Sequence, residues 1–305
     1  MLLQRFPTNY LIVEGPDLSG KTTFYNHLHK KSDYCWNIQD RSNLSMCVHA
    51  HQYERDILQH KLNFDIELLN LNNRFIIMLP SLNTLVERYY KRGDEIQTLD
   101  QVKALHEIFK LHVNQLKNFP HVFVVSEDDL NKNVEKVYNC IKEMEAANLQ
   151  EISGIIQKFA LNSPGFEATP LNITLYDSGT FTEACESIME YLPEKEYYNR
   201  VLTGIIEKIQ NECAGNNSYN LPQSVYSRRF IYTNDSCLSF IHATYRNNLL
   251  DMHFVARSSE VSKTFPYDLK FLFYLSKRVY NELKLQPTKD IVRMRFNLNS
   301  GHILL

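Results

Sequence analysis

The sequence predicts an α/β domain with a parallel sheet flanked by helices, followed by a second, α+β domain. Short apolar runs alternate with segments of helical periodicity in the first half of the chain. From residue 227 onward, several short strands are expected close together in the sequence. The length of 305 residues exceeds what one hydrophobic core usually supports. We therefore place the domains at residues 1–147 and 150–305.

Composition narrows the function classes. The hydrophobic content of 44% and the charged content of 22% are typical of a soluble globular protein. No apolar run approaches the length of a membrane span, and the amino terminus lacks the pattern of a signal peptide. We therefore expect no membrane partner and a cytoplasmic location, in the host cytoplasm if the source is viral. The six cysteines include no C-x-x-C pair, so we expect reduced thiols. A net charge of −2 does not indicate a basic surface that binds long nucleic acid, although a local basic patch that binds DNA remains an alternative.

The most informative stretch is residues 10–23, YLIVEGPDLSGKTT. Its apolar start predicts a buried strand, the segment Gly15–Thr22 fits G-x-x-x-x-G-K-[ST], and a helix follows. The glycines let backbone N–H groups turn toward an anion, Lys21 reaches the β and γ phosphates, and the Thr22 hydroxyl is placed for Mg²⁺. We therefore expect ATP and Mg²⁺ to be bound here, by Gly15, Pro16, Asp17, Leu18, Ser19, Gly20, Lys21, Thr22 and Thr23.

A second parallel strand is expected within residues 34–45, with its carboxyl end beside this loop. Asp40 is then a candidate to take the proton of an acceptor hydroxyl or to hold Mg²⁺ through water. Arg41 is a candidate to bind acceptor phosphate or to steady the transferring group. An ordinary ion pair at a solvated strand end is the alternative. His49 and His51 lie two positions apart on a predicted helix, so we expect surface or packing roles for them.

The next apolar run, residues 75–80, predicts a buried strand that leads into a helix over residues 82–92. Arg88 and Arg92 lie four positions apart on one face of this helix, just before a glycine that can act as a hinge. Such a lid can close two guanidinium groups over a phosphate chain, and an exposed basic face paired with nearby glutamates is the alternative. Three more elements are expected: a helix over 100–117, a strand over 121–125 and a helix over 134–144.

Three segments resemble motifs of the thymidylate kinase and deoxynucleoside kinase group of P-loop kinases: the loop at 14–23, the D-R-S at 40–42 and the R-x-x-x-R-G at 88–93. The resemblance covers the first 147 residues. It implies a kinase fold in which Asp17 touches the acceptor sugar, Arg41 contacts the acceptor, and Arg88 and Arg92 contact the ATP phosphates. The catalytic set is then Lys21, Asp40, Arg41, Arg88 and Arg92.

The chain departs from this group at one point. Only 19 positions separate Lys21 from Asp40, so one β-α unit of the full fold is missing, and Asp40 can instead correspond to the catalytic carboxylate at the end of the second strand. With that alignment the domain also resembles phage polynucleotide 5′-kinases. The acceptor stays open between a free pyrimidine deoxynucleotide, namely dTMP, dCMP or a 5-hydroxymethyl form, and a hydroxymethyl pyrimidine or 5′-hydroxyl within DNA.

The second half has a different organisation. We expect a junction at 146–154, a turn-rich segment at 162–178 and an amphipathic helix over 197–210. The remaining elements are expected to be strands over 230–233, 238–245, 250–256 and 292–298, and a long apolar helix over 265–283.

The second half contains S-R-R at 227–229, Cys237, R-S at 257–258, Asp268 and a late His302 followed by isoleucine. In this order and spacing they resemble the central part of thymidylate synthases and deoxycytidylate hydroxymethylases, over residues 195–305. The resemblance implies a phosphate clamp at the S-R-R, a nucleophilic cysteine, an R-S phosphate contact, a base-reading carboxylate and a late histidine, together with dimer formation through this domain. A thiolate in this position could add to C6 of a pyrimidine. The corresponding residues are Arg228, Arg229, Cys237, Arg257, Ser258, Asp268 and His302.

This second resemblance is incomplete. No counterpart of the early folate-binding region is found, and Leu238 rather than a histidine follows the cysteine. A degenerate copy that binds nucleotide or dimerises, an active synthase, and a plain buried thiol all stay open. The whole sequence therefore predicts an ATP-dependent phosphotransferase acting on a pyrimidine deoxynucleotide, of phage origin. A bifunctional hydroxymethylase-kinase and a module that only binds nucleotide are the rivals.

Overall fold

The computed structural model describes residues 10–92, 97–145, 147, 149–168, 171–177, 181, 187–214, 230–286 and 289–303. The chain divides into two compact units between Met144 and Glu145. We call them the amino-terminal and carboxyl-terminal units. No helix in the described ranges is long and apolar enough to cross a membrane.

The amino-terminal unit is built on the predicted parallel sheet. It has four strands in the order β2-β1-β3-β4, and every neighbouring pair is parallel. The two central strands are buried along nearly their whole length, as is usual for parallel strands covered on both faces. Their bounds are Tyr10–Glu14 for β1, Ile38–Asp40 for β2, Asn73–Met78 for β3 and Val122–Val125 for β4.

Six helices accompany this sheet, and the lid helix has the bounds expected from its sequence. The helix Leu58–Leu68 was not predicted, because no side chain caps its amino end and three of its apolar residues, at 58, 62 and 66, are exposed. The bounds are Lys21–Lys31 for α1, Asn43–Gln52 for α2, Leu58–Leu68 for α3, Leu82–Arg92 for α4, Leu99–Leu116 for α5 and Leu130–Glu145 for α6.

The hydrophobic core under β1 holds the start of α1 in place. Phe24 and Leu28 of α1 are fully buried against Leu11 and Val13 of β1, and Trp36 joins the same cluster. The helix α6 adds apolar residues at three- and four-residue spacing, as its sequence period predicted. This packing directs the amino end of α1 at the glycine loop.

The carboxyl-terminal unit is α+β, as predicted. A five-stranded mixed sheet has the order β6-β11-β9-β8-β7, and a small sheet joins β10, β12 and β5. Its strands are β5 Glu167–Ala168, β6 Leu171–Asp177, β7 Phe230–Thr233, β8 Leu238–Arg246, β9 Leu249–Ala256, β10 Ser259–Glu260, β11 Ile291–Leu298 and β12 Gly301–His302. Its helices are α7 Leu149–Asn162, α8 Ile188–Tyr191, α9 Lys195–Ala214 and α10 Phe265–Glu282, the last packed on α7 and α9.

The junction expected at 146–154 lies next to the boundary between the two units, and its residues from Leu149 onward are helical, because α7 starts there and buries Ile152 and Ile156. One expectation for this unit missed a strand. The segment 162–178, expected as turns, contains the strand β6. The strand alternates buried and partly exposed residues. The Pro-Gly turn at 164–165 that precedes it made the whole segment appear turn-rich in the sequence.

Replacing Gly15 with alanine should destabilise the amino-terminal unit by at least about 2 kcal/mol. Gly15 has a φ of 144°, and an added Cβ would lie 2.3 Å from the Met78 carbonyl oxygen of β3. Urea denaturation followed by the fluorescence of Trp36, the single tryptophan, measures this. Gly154→Ala is the control, since its Cβ would lie in open space on α7. An unchanged midpoint for Gly15→Ala would contradict the close approach.

Candidate active site

The loop between β1 and α1 has the geometry of an anion cradle. Gly15 and Gly20 both have positive φ, as does Leu18 between them. Gly20 is the N-cap of α1, and it provides no side-chain hydrogen bond to the first turn. The backbone N–H groups of that turn, at the positive end of the helix dipole, are therefore suited to bind a phosphate.

Lys21 is buried in this loop, with only 7% of its surface exposed. Its Nζ donates to the carbonyl oxygens of Gly15, at 2.7 Å, and Pro16, at 2.8 Å. Burial lowers the pKa of the ammonium, and the Asp17 carboxylate, 4.0 Å away, opposes that shift. An ammonium has three donors, and the loop carbonyls occupy two of them. One N–H therefore stays available for an anion in the loop.

The carboxyl end of β2 lies beside the loop, as predicted. Asp40 is in register with Val13 of β1, and the Arg41 N–H donates to the Val13 carbonyl oxygen. Asp40 is exposed and lines the open cleft in front of the loop. Arg41 has a φ of 73°, a left-handed conformation that costs a non-glycine residue roughly 1–3 kcal/mol.

The Asp17 carboxylate joins three segments of the site. Its Oδ1 accepts from Nη2 of Arg41 at 2.8 Å, and its Oδ2 accepts from Nε2 of Gln97 at 2.9 Å. Sequence reasoning missed Gln97, because it belongs to no motif. The capping box of Thr98 and Gln101 fixes the start of α5. That signal could have identified Gln97, which directly precedes the box and lies at the cleft.

The lid helix α4 brings its arginines to the loop, as predicted. Nη1 of Arg88 donates to the Leu18 carbonyl oxygen at 3.0 Å. Arg92 and the unpredicted Lys91 line the same cleft. Three cationic side chains at i, i+3 and i+4 of one helix therefore face the anion cradle. The rest of the predicted lid, residues 93–96, lies outside the described residues.

The cleft has a volume of about 1320 Å³, larger than most single-ligand pockets. Its walls come from two edges of the sheet, and the loop lies between them. The two edge strands are three strand spacings apart, about 14 Å. The β2 edge provides Asp40, Arg41, His49 and Tyr53, and the β4 edge provides Glu127, Asp128, Leu130 and Asn133. This arrangement has room for two ligands that meet over the loop.

His49 is half-buried and lines this cleft, a position that its sequence did not predict. The helix α2 starts after its N-cap Ser42, which places Ser45, His49 and Tyr53 at four-residue spacing along one side. His51 is exposed, as expected. Burial lowers the pKa of His49, so its imidazole is neutral at pH 7.

The carboxyl-terminal unit brings together Cys237, Ser258 and Asp268 of the second predicted set. They line one cavity with Tyr197 and Tyr198. Its volume is about 10 Å³, room for about one water and far below a nucleotide. Cys237 is exposed rather than a buried thiol.

Of the other predicted residues, Arg257 and His302 are described and do not line the cavity. Nη2 of Arg257 donates to the Asp235 carbonyl oxygen. His302 lies opposite Glu260 in the parallel strand pair of β12 and β10. Arg228 and Arg229 lie outside the described residues.

Asp268 is engaged by side chains of its own unit. The Tyr198 hydroxyl donates to its Oδ1 at 2.7 Å, and the Ser259 hydroxyl donates to its Oδ2 at 2.6 Å. Burial raises the pKa of Asp268 to about 6, and the two hydrogen bonds oppose that shift. In this geometry each carboxylate oxygen accepts a hydrogen bond from a side chain of the same unit.

The sequence and the fold were compared with known proteins. No model of a protein family matches the sequence, and no curated protein matches it. Among the solved structures that match is one of a deoxyadenosine kinase from M. mycoides with the products dCMP and a flexible dCDP bound. It is 15% identical, the match covers 44% of this chain and 99% of that chain, and the TM-score is 0.34. At this level the likeness supports no conclusion about what this chain binds.

The raised pKa of Asp268 predicts a pH dependence of stability. The folded state keeps a proton that the unfolded state releases near pH 3.8, so the stabilisation is lost as the pH rises through about 6. Asp268→Asn should therefore stabilise this unit by about 2 kcal/mol at about pH 8 and hardly at all near pH 4. Urea denaturation followed by circular dichroism measures the effect. The exposed Asp235→Asn is the control, and an Asp268→Asn gain that is equal at both pH values would contradict the assignment.

Proposed function

We propose that the amino-terminal unit is a kinase that transfers the γ-phosphate of ATP to a pyrimidine deoxynucleotide. One observation supports this proposal. The buried Lys21 ammonium lies in a glycine loop, with Arg88 on one side and the consecutive residues Asp40 and Arg41 on the other. The loop can bind a polyphosphate, the cationic side chains can stabilise the charge that develops during transfer, and the carboxylate can accept a proton. These groups lie around one cleft. A loop with a merely structural role would not need these groups to converge.

The donor is proposed to lie with its phosphates on the loop. Lys21 binds the β and γ phosphates with its remaining N–H, and Arg88, Lys91 and Arg92 cover them from α4. The chemistry of the donor set fits Mg²⁺, since the Thr22 hydroxyl and Asp40 are hard oxygen ligands, and the ion would supply charge neutralisation on the phosphates. In the described ranges no group of three or more His, Cys, Asp or Glu residues could hold a metal.

The acceptor is proposed to lie at the β2 edge. Its oxygen attacks the γ-phosphorus in line, and the bond between that phosphorus and the β–γ bridging oxygen breaks to release ADP. With a hydroxyl acceptor, Asp40 takes the proton, whereas a monophosphate acceptor needs no such transfer. Arg41 leaves Asp17 and binds the transferring group, and Asp17 is then free to accept a hydrogen bond from the acceptor sugar.

Charge at the β2 edge favours a second candidate, a hydroxyl acceptor without a phosphate next to the reacting atom. Asp17 and Asp40 supply two carboxylates there, Arg41 is paired with Asp17, and His49 is neutral. Most of the cations lie on the loop and the lid. A deoxynucleoside, a 5-hydroxymethyl group or a 5′-hydroxyl, free or within DNA, would place less negative charge beside these carboxylates than a monophosphate would.

For the carboxyl-terminal unit we propose a degenerate relative of thymidylate synthases that binds nucleotide or forms a homodimer without catalysis. The meeting of Cys237, Ser258 and Asp268 at one cavity supports the relationship. The small volume of that cavity and the occupied Asp268 carboxylate argue against turnover.

The test is a transfer assay with γ-³²P-ATP. The acceptors are dTMP, dCMP, their 5-hydroxymethyl forms, the matching nucleosides, and DNA with 5-hydroxymethyl pyrimidines or 5′-hydroxyl ends. Lys21→Ala should lower labelling by about 10²–10³-fold, because it removes the ammonium from the transferring phosphate. Lys31→Ala is the control on the same helix, since Lys31 is exposed and paired with Glu135. Absence of any labelled acceptor with the wild type, or equal labelling by Lys21→Ala, would refute the proposal.

Asp40→Asn separates the two candidate acceptors. With a hydroxyl acceptor, kcat should fall by about 10²–10⁴-fold, because the general base is lost. With a monophosphate acceptor it should fall by less than about tenfold, since no proton has to be removed. Steady-state kinetics on the labelled acceptor measure this, with the exposed Asp100→Asn on α5 as control. A loss of affinity for ATP alone would assign Asp40 to the metal instead.

A further inference from the structure

Glu14, the last residue of β1, is an acidic side chain in a fully buried position. None of its surface is exposed, and the phosphate loop begins at the next residue. Burying a carboxylate is costly unless hydrogen bonds replace its hydration. The proposed phosphoryl transfer does not use this group directly, so its burial needs another explanation.

The Glu14 carboxylate is bound to the first turn of α2. Its Oε1 accepts from the backbone N–H of Ser42, from the Ser42 hydroxyl at 2.6 Å and from the N–H of Ser45 at 3.4 Å. Its Oε2 accepts from the Ser45 hydroxyl. Ser42 is the N-cap of α2, so the carboxylate occupies the place at which a helix amino end binds an anion. A strand end and a helix start are joined through one side chain.

Arg41 lies directly between these two anchors. Its own N–H donates to Val13, and the next residue, Ser42, is held by Glu14. Both holding residues are consecutive in β1. Arg41 is left-handed between them, a conformation that a non-glycine residue adopts only where its surroundings impose it. In that conformation its guanidinium reaches Asp17 in the cleft.

We propose that Glu14 is a positioning residue that holds Arg41 in its left-handed conformation and so directs the guanidinium to the acceptor. This inference rests on the proposed kinase function for its catalytic consequence, but the conformation of Arg41 can be measured without any activity. Arg41 contacts the reacting groups, and Glu14 acts only through it. Loss of the Glu14 carboxylate should therefore affect the acceptor and leave the donor nearly unchanged.

The kinetic test compares Glu14→Gln, Arg41→Ala and the double variant. Glu14→Gln should lower kcat/KM for the acceptor by about 10–100-fold and change KM for ATP by less than about twofold. In the Arg41→Ala background the same change should cost less than about twofold, because the residue through which it acts is gone. An equal loss in both backgrounds, or an equal rise in KM for ATP, would overturn the proposal in favour of a general structural role.

Glu67→Gln is the matched control. Glu67 also accepts hydrogen bonds from the first turn of α2, through Nδ2 of Asn43 at 2.7 Å and the Asn43 N–H at 3.2 Å, but it lies on α3 and not on β1. It should leave kcat/KM for the acceptor within about twofold. If it matches Glu14→Gln, any weakening of the α2 start is sufficient, and the specific role of Glu14 is refuted.

A measurement without turnover separates this proposal from the kinase function. Hydrogen exchange of the Arg41 and Ser42 amides should become at least about tenfold faster in Glu14→Gln, with the amides of α1 unchanged. Should the wild type label no acceptor while this exchange effect is found, the kinase proposal fails and the positioning role stands. Unchanged exchange refutes the positioning role. If Glu14→Gln does not fold, Ser45→Ala, which removes the contact to Oε2 alone, should give the same pattern to a smaller extent.

Discussion

A buried ammonium at the start of α1 is the constraint on which the amino-terminal unit depends. Lys21 has left water, and two backbone carbonyls together with nearby carboxylates, Asp17 first among them, compensate. The loop that carries these carbonyls approaches β3 closely at Gly15, where a side chain would meet the Met78 carbonyl oxygen. The core around Phe24 and Leu28 then fixes the helix that follows. Loop, strand and helix thus form one rigid support for an anion, and the surrounding cations extend it.

Two carboxylates near the loop, those of Asp17 and Glu14, differ in their exposure to solvent. Asp17 is partly exposed in the cleft and pairs with Arg41 and Gln97, so a ligand can exchange with its partners. Glu14 is buried, and its four hydrogen bonds come from α2. Asp17 can exchange its partners, whereas Glu14 joins the end of β1 to the start of α2. Together they connect the glycine loop to the segment that carries Asp40 and Arg41, which comes later in the chain.

The carboxyl-terminal unit has the predicted elements without an open site. Its cavity holds about one water, and Tyr198 and Ser259 already bind the carboxylate that the resemblance assigns to a base. The raised pKa of Asp268 follows from the same burial. This chemistry is suited to holding α9, β10 and α10 together. In the described residues the open, cation-lined cleft belongs to the amino-terminal unit.

The sequence by itself determined the elements whose signals are local. The glycine and lysine spacing predicted the glycine loop, the apolar runs predicted the parallel strands, and the four-residue spacing of Arg88 and Arg92 predicted a basic face, which lines the cleft. The end of β2 placed Asp40 and Arg41 correctly, because parallel strands end at one edge of a sheet. Tertiary structure alone decided that His49 faces the cleft, that Gln97 meets Asp17, and that the cavity at Cys237 is small. These depend on distances between segments far apart in the chain, and neither periodicity nor motif spacing encodes such distances.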